Sequence, residues 1–186
     1  MALLPHVALS GMMGTGKSTV ATLVATRQGW PLVDLDARIE ARAGSDIPTI
    51  FAEKGEAVFR RLEHEALASA LDASPSIIAF GGGTVTNLRN RELLQGRCRV
   101  ITLTASPATL LKRIGDVSSR PLLARHDTEA ARLKVLREMI VMRARAYSEA
   151  DLLLDTEGSD PARVAEQVMG QMWAWGIPPG VEAAGR

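Results

Sequence analysis

Short apolar runs alternate along this chain with longer stretches in which apolar residues recur every three or four positions. The runs Val7 to Leu9, Pro31 to Asp34, Ser76 to Phe80, Arg99 to Thr104 and Leu152 to Leu154 predict five strands, each short enough to be buried on both faces. Between them the pattern predicts helices. Lys17 to about Gln28, with Val20, Leu23 and Val24 on one side, ends at Gly29, and Asp36 to Ala43 ends at Gly44. A turn or two over Ile47 to Ala52 precedes Gly55, and a longer helix from about Glu56 to Leu71 carries Val58, Phe59, Leu62 and Leu67. Further helices are expected over Asn87 to Leu94, Ala105 to Ile114 and Thr128 to Ala150. The last starts at Asp160-Pro161, a cap followed by proline at the first helical position, and buries Val164, Val168 and Met172. Gly115 to His126 reads as an exposed loop, and 176–186 as a loose tail.

Strands alternating with helices imply a parallel sheet covered on both faces, with ligands beyond the carboxyl ends of the strands. That rule selects the loops at 10–19, 34–36, 81–83 and from 105 onward. At 186 residues one domain is expected, over 1–175, with a lid near 115–126.

The first of those loops carries the strongest signal. Gly11, four residues, then Gly16-Lys17-Ser18 satisfy the phosphate-loop pattern G-x-x-x-x-G-K-S/T, between an apolar strand and a helix. A chance match in a chain of this size has a probability on the order of one per cent or less. Gly14, Thr15, Gly16, Ser18 and Thr19 are thus expected to hold a nucleotide's phosphates through backbone N–H groups and the helix N-terminus. Lys17 supplies a compact charge, and the Ser18 hydroxyl a ligand for Mg²⁺. Asp34 and Asp36 follow strand two, two residues apart, so that on an extended backbone both carboxylates point the same way. Asp34 is placed to hold Mg²⁺ through water and Asp36 to accept an attacking alcohol's proton, or else to cap the next helix.

Three other features share the strand ends. Arg60 and Arg61 sit inside an apolar stretch of a helix, Gly81-Gly82-Gly83 ends strand three, and Arg120 lies in the candidate lid, where it can offset charge on a transferring phosphoryl group. His6, His64 and His126 lack ligand spacing and are read as structural or surface residues, and Trp173 and Trp175 as packing against the sheet. With 22 basic and 21 acidic residues the net charge is +1, which gives no electrostatic case for nucleic acid or an anionic membrane. The single Cys98 excludes an internal disulfide and a thiolate zinc cluster. No stretch reaches transmembrane length and Met1 to Leu9 lacks a basic leader, so a cytoplasmic location is expected.

Taken together, these residues resemble the shikimate kinases, from Val7 to about Met172. Gly11 to Thr19 matches that family's nucleotide loop, Asp34-Leu35-Asp36 its D-x-D, Phe59 to Glu63 its F-R-x-x-E and Gly81 to Gly83 its triple glycine. Arg120-Pro121-Leu122 matches the lid and Arg143 to Tyr147 the R-x-x-x-Y segment, all in family order. The resemblance implies a nucleoside-monophosphate-kinase-like P-loop fold, three layers around five parallel strands in the order 2-3-1-4-5. It implies Mg²⁺-dependent transfer of a phosphoryl group from ATP to the 3-hydroxyl of shikimate, on the route to aromatic amino acids, by a monomer. Lys17, Asp36 and Arg120 would be catalytic, Arg113 would pack on adenine, and Arg60 and Arg143 would grip the carboxylate, with Gly81, Gly82 and Gly83 lining the acceptor. Two positions differ from many members: Arg145 stands where they have proline, and Ser159-Asp160 where some have an adenine-side arginine. The alternatives are a gluconate or nucleoside monophosphate kinase of the same architecture, a switch or motor ATPase, and a non-catalytic nucleotide-binding module. The triple glycine with Arg60 and Arg143 argues against the first. Strand three ends in glycines rather than an acid, and no Asn-Lys-x-Asp motif occurs, which argues against the second. No expected functional side chain is missing, which argues against the third.

Overall fold

A computed structural model describes residues 5–117 and 120–180. Five parallel strands form one sheet: β1 (His6–Gly11), β2 (Leu32–Asp34), β3 (Ile77–Ala79), β4 (Cys98–Thr104) and β5 (Leu152–Asp155), in the order β2-β3-β1-β4-β5. This is the expected order. Because side chains alternate across a strand, Val7 and Leu9 face one side of the central strand and Ala8 the other. Two cores result. On the first side α1 (Lys17–Gln28) and α8 (Pro161–Ala174) bring Val20, Val24, Val164, Val168 and Met172 against Ile77 and Ile101. On the other, α3 (Ile47–Leu71) and α7 (Glu129–Ser148) bring Phe59, Leu67, Leu136 and Met139 against Ile78 and Val100. The remaining helices are α2 (Leu35–Ala43), α4 (Leu88–Leu94), α5 (Pro107–Ile114) and the single turn α6 (Pro121–Ala124).

Side-chain caps set most helix starts. Asp46, Asn87, Ser106, Thr128 and Asp160 each accept a backbone N–H of the first turn. At Gly55 (φ 77°, ψ 169°) α3 is interrupted by a kink, because only glycine adopts that conformation without strain, so α3 consists of the two helical segments expected on either side of Gly55.

Four expectations change. Strand two stops at Asp34, whose Oδ1 accepts from the Ala37 N–H, so Asp34 and not Asp36 caps the following helix. Inside the exposed loop at 115–126, α6 forms one helical turn and buries Leu123 completely. Trp173 is 79% exposed, and Trp175 alone of that pair packs on the core, under the Arg99 guanidinium at 5.6 Å. Packing also extends past Gly176: Ile177 is buried, and the Gly180 N–H donates to Gln28 O at 2.7 Å, while the rest of the expected tail lies outside the described residues. Among the described residues no helix is long and apolar enough to cross a membrane.

Candidate active site

A cleft of about 560 Å³ opens at the carboxyl ends of β1 and β3. Its floor is the loop between β1 and α1. Gly14 (φ 81°) and Gly16 (φ 87°) hold left-handed backbone there, and a Cβ on Gly14 would stand 2.7 Å from Leu110 O of α5. The Met12 carbonyl gathers the loop, accepting from Thr15 Oγ1 at 2.8 Å and from Lys17 Nζ at 2.9 Å. Ser18 and Thr19 follow at the first turn of α1 and line the cleft. Burial, reinforced by the charges of Arg120 and Arg143, lowers the Lys17 ammonium to about 8 against the pull of Asp36 and Asp34.

The opposite wall is built on the glycine turn after β3. Phe80 N–H still pairs with Leu9 O, at 3.0 Å, which carries the sheet up to Gly81. The Gly82 carbonyl accepts from Arg143 Nη1 at 2.9 Å and from the Tyr147 hydroxyl at 2.7 Å, both on α7. From α3, Arg60 reaches so near that a Cβ on Gly83 would stand 2.9 Å from its Nη1. Arg60 is held by Glu63 at 2.9 Å, and Glu63, only 1% exposed, also accepts from Thr84 Oγ1 at 2.8 Å. A buried carboxylate needs such partners. Asp36, in the first turn of α2, lies between the two walls, so near the turn that a Cβ on Gly81 would stand 2.6 Å from its Oδ1. Burial, with Asp34 and Glu63 nearby, raises its carboxyl to about 6.

Apolar side chains of Ile47, Phe51, Phe59 and Met139 fill in beside these charges, with Phe51 and Phe59 rings 4.5 Å apart. Arg113, at the end of α5, donates to Thr156 Oγ1 at 2.8 Å and to Thr156 O at 2.6 Å, beyond β5. Arg120 and Leu122 border the same cleft. The donor set suits Mg²⁺. A hydroxyl at Ser18 and a carboxylate at Asp34 are hard oxygen ligands, and Mg²⁺ is usually held by one or two protein oxygens together with phosphates and water. No group of three or more His, Cys, Asp or Glu able to hold a metal occurs among the described residues.

The family model described as shikimate kinase matches residues 13–173. The chain belongs to the shikimate kinase family. A shikimate kinase of Geobacter sulfurreducens is 43% identical over 163 residues, covering 88% of each chain. One from Moorella thermoacetica is 39% identical over 171 residues, covering 91% of this chain and 95% of its own. Among solved structures, Acinetobacter baumannii shikimate kinase in complex with shikimate superposes with a TM-score of 0.84 at 31% identity, covering 93% of this chain and 95% of that one. A Sinorhizobium meliloti gluconokinase, at 16% identity and a TM-score of 0.62, shares the fold.

In this shikimate kinase family member the residues singled out by sequence converge on one cleft. Gly14, Gly16, Lys17, Ser18, Thr19, Asp36, Arg60, Gly81, Gly82, Gly83, Arg113, Arg120 and Arg143 all line it. Thr15 lies beneath it, 2% exposed, and Asp34 stands beside it as the cap of α2. Asp36 faces the cleft from a helix, not from an extended strand, so the i, i+2 argument for its direction does not hold. Arg61 points away and pairs with Glu65. Arg145 is 93% exposed and 3.7 Å from Glu149, so this departure from the family pattern places its charge in solvent, and Ser159 contributes its carbonyl to Arg113 at 3.5 Å. Sequence reasoning passed over Glu63, Tyr147 and Thr156 as site residues. The first two were legible as the closing letters of F-R-x-x-E and R-x-x-x-Y. Thr156 carried no signal, because it acts by a fold contact across 43 residues.

Proposed function

We propose that the chain transfers the γ-phosphoryl group of ATP to the 3-hydroxyl of shikimate, giving shikimate 3-phosphate and ADP. One observation carries this reading: two guanidiniums, Arg60 and Arg143, converge on the Gly82-Gly83 turn, with Asp36 between them and Lys17 opposite. A pair of arginines suits the planar carboxylate of a hydroxylated ring acid better than lysines do. Arg60 and Arg143 hold that carboxylate, and Gly81, Gly82 and Gly83 keep the wall thin enough for the ring.

Asp36 accepts hydrogen bonds from the ring hydroxyls and takes the 3-hydroxyl proton as the new O–P bond forms. The bond between the γ-phosphorus and its bridging oxygen breaks, and ADP leaves with that oxygen. Lys17, with the N–H groups of Gly14 to Thr19, neutralises the phosphates, and Arg120 offsets charge on the transferring group. Arg113 packs on adenine, in the position fixed by Thr156. Ser18, and Asp34 through water, would hold Mg²⁺, which when bound would offset the negative charge of the phosphates. We assign 115–126 the role of a lid, carrying Arg120 and Leu122 over the nucleotide, and residues 1–175 the role of one catalytic domain acting as a monomer in the cytoplasm.

The test is ADP formation with Mg-ATP against a panel of hydroxy acids and polyols. One ADP per shikimate consumed is expected, with loss of turnover on chelation of Mg²⁺. Gluconate accelerating ADP release where shikimate does not would overturn the substrate.

A further inference from the structure

A second cavity, of about 630 Å³, lies toward the amino end of the sheet, where β4 begins and α4 and α7 end, lined in part by Leu94, Cys98, Ala146 and Asp151. Arg91 of α4 also borders it and reaches from there toward the active-site wall. Its Nη1 donates to Val85 O at 2.9 Å and to Thr86 O at 3.3 Å, the carbonyls that follow the triple glycine. The neighbouring Asn90, completely buried, donates to Thr84 O at 3.0 Å and is met by His64 Nδ1 at 2.9 Å. Three successive carbonyls are thus gripped from behind. On its other side the Arg91 Nε lies 2.7 Å from Glu149 Oε2, one residue past the end of α7. Arg143 and Tyr147 project from that same final stretch of α7 onto Gly82 O. One guanidinium therefore joins the two halves of the carboxylate-binding wall, the glycine turn and the arginine helix, without touching the cleft.

We infer that Arg91 is a positioning residue that sets the distance between the Gly81–Gly83 turn and Arg143, and through it the affinity for the acceptor's carboxylate. The inference rests on the reading of that wall as the shikimate site. Arg91 borders none of the nucleotide half, which hangs on β1, α1, α5 and Thr156. Its loss should thus separate the two substrates.

The experiment compares wild type, Arg91→Ala and Glu149→Gln by steady-state kinetics and by calorimetric titration with shikimate. For Arg91→Ala the shikimate KM and dissociation constant should rise about tenfold, the loss expected for a charge-assisted contact, with the ATP KM within about twofold of wild type. Glu149→Gln, which removes the charge facing Arg91 and leaves the carbonyl contacts of that guanidinium in place, should shift the shikimate KM in the same direction by less. Ethylguanidine at millimolar concentration can enter through the open cavity and occupy the deleted volume, so it should restore shikimate affinity in Arg91→Ala and leave wild type unchanged. Such concentrations lie far below those that unfold proteins. Unchanged shikimate affinity in Arg91→Ala overturns the inference. So does an equal rise in both KM values without rescue, which marks general loosening. If wild type itself fails to bind shikimate, it is the substrate reading that falls.

Discussion

Asp36 and Lys17 are held against their ordinary charge preferences, and this should be visible in kinetics. A carboxyl near 6 acts as a base only once ionised, so kcat/KM for shikimate should fall tenfold per pH unit below about 6, following the free enzyme. Asp36→Asn should lose roughly a hundredfold or more in kcat, the usual range for a missing general base, and its residual rate should lack that acid limb. An acid limb unchanged in Asp36→Asn would assign it to another group. Arg120 borders the cleft as the N-terminal cap of α6, whereas the side chains set against the Gly81–Gly83 turn are Asp36, Arg143 and Arg60. Arg120→Ala should therefore lower kcat by about a hundredfold while changing the shikimate KM little, measured at saturating Mg-ATP. Equal losses in both would count against its role on the transferring group. At this scale the sequence was most readable where a residue's own chemistry does the work, as at Lys17 and Asp36, while Arg143 was legible only through the family's R-x-x-x-Y pattern. The sequence was least readable where a residue holds another, as Arg91, Asn90 and Thr156 do, because backbone carbonyls and their partners leave no pattern in the letters.

Among the elements, α3 bears most on the acceptor site, since its front half carries Ile47 and Phe51 and its rear half Phe59, Arg60 and Glu63. The bend at Gly55 sets the angle between them. A Cβ there would meet nothing within 4 Å, so Gly55→Ala tests backbone strain alone. It should destabilise the protein by about 1–3 kcal/mol in urea unfolding, from the positive-φ, extended-ψ conformation forced on alanine. Realignment of Phe51 against Phe59 should raise the shikimate KM in the same variant. Helix and strand positions were legible because glycines and cap residues punctuate this chain closely. The junction of β2 and α2 was not. There Asp34 is both the last strand residue and the cap, with no loop between, so period-two reasoning ran one turn too far. The burial of Leu123 and Ile177 also escaped, since a short apolar residue in a polar segment reads the same whether its pocket exists or not.

For the whole molecule, the cleft's charges are a cost to stability. Asp36 binds its proton more tightly folded, at about 6, than at the ordinary 3.8, so between those values the native state holds more protons than the unfolded one. Stability from this group is therefore greatest below pH 3.8 and falls as pH rises through 6. Lys17 has the mirrored sign: with its pKa lowered from 10.5 to about 8, it costs stability at neutral pH and regains it as pH rises from 8 toward 10.5. Asp36→Asn should thus raise Tm at pH 7.5 by a few degrees, corresponding to about 1–2 kcal/mol after solvent screening, and by nothing at pH 3.5. A Tm unchanged at pH 7.5 would show that Asp36 is not strained. The parallel sheet was legible from the α/β alternation, and the order of its strands only through the family resemblance. Which helix faces meet behind the sheet is a property of packing alone.

The glycine turn also decides how this enzyme would appear in a survey of every single substitution. At 81, 82 and 83 the atoms nearest a new Cβ are the ends of Asp36, Arg143 and Arg60, side chains that can give way where backbone could not, at the expense of their own contacts. Replacements there should leave a well-folded, abundant protein whose working groups have been pushed out of place. A selection on expression would pass these variants, and a selection on growth without aromatic supplements would reject them, alanine nearly as firmly as tryptophan. The difference between the two maps would outline the acceptor site one codon at a time.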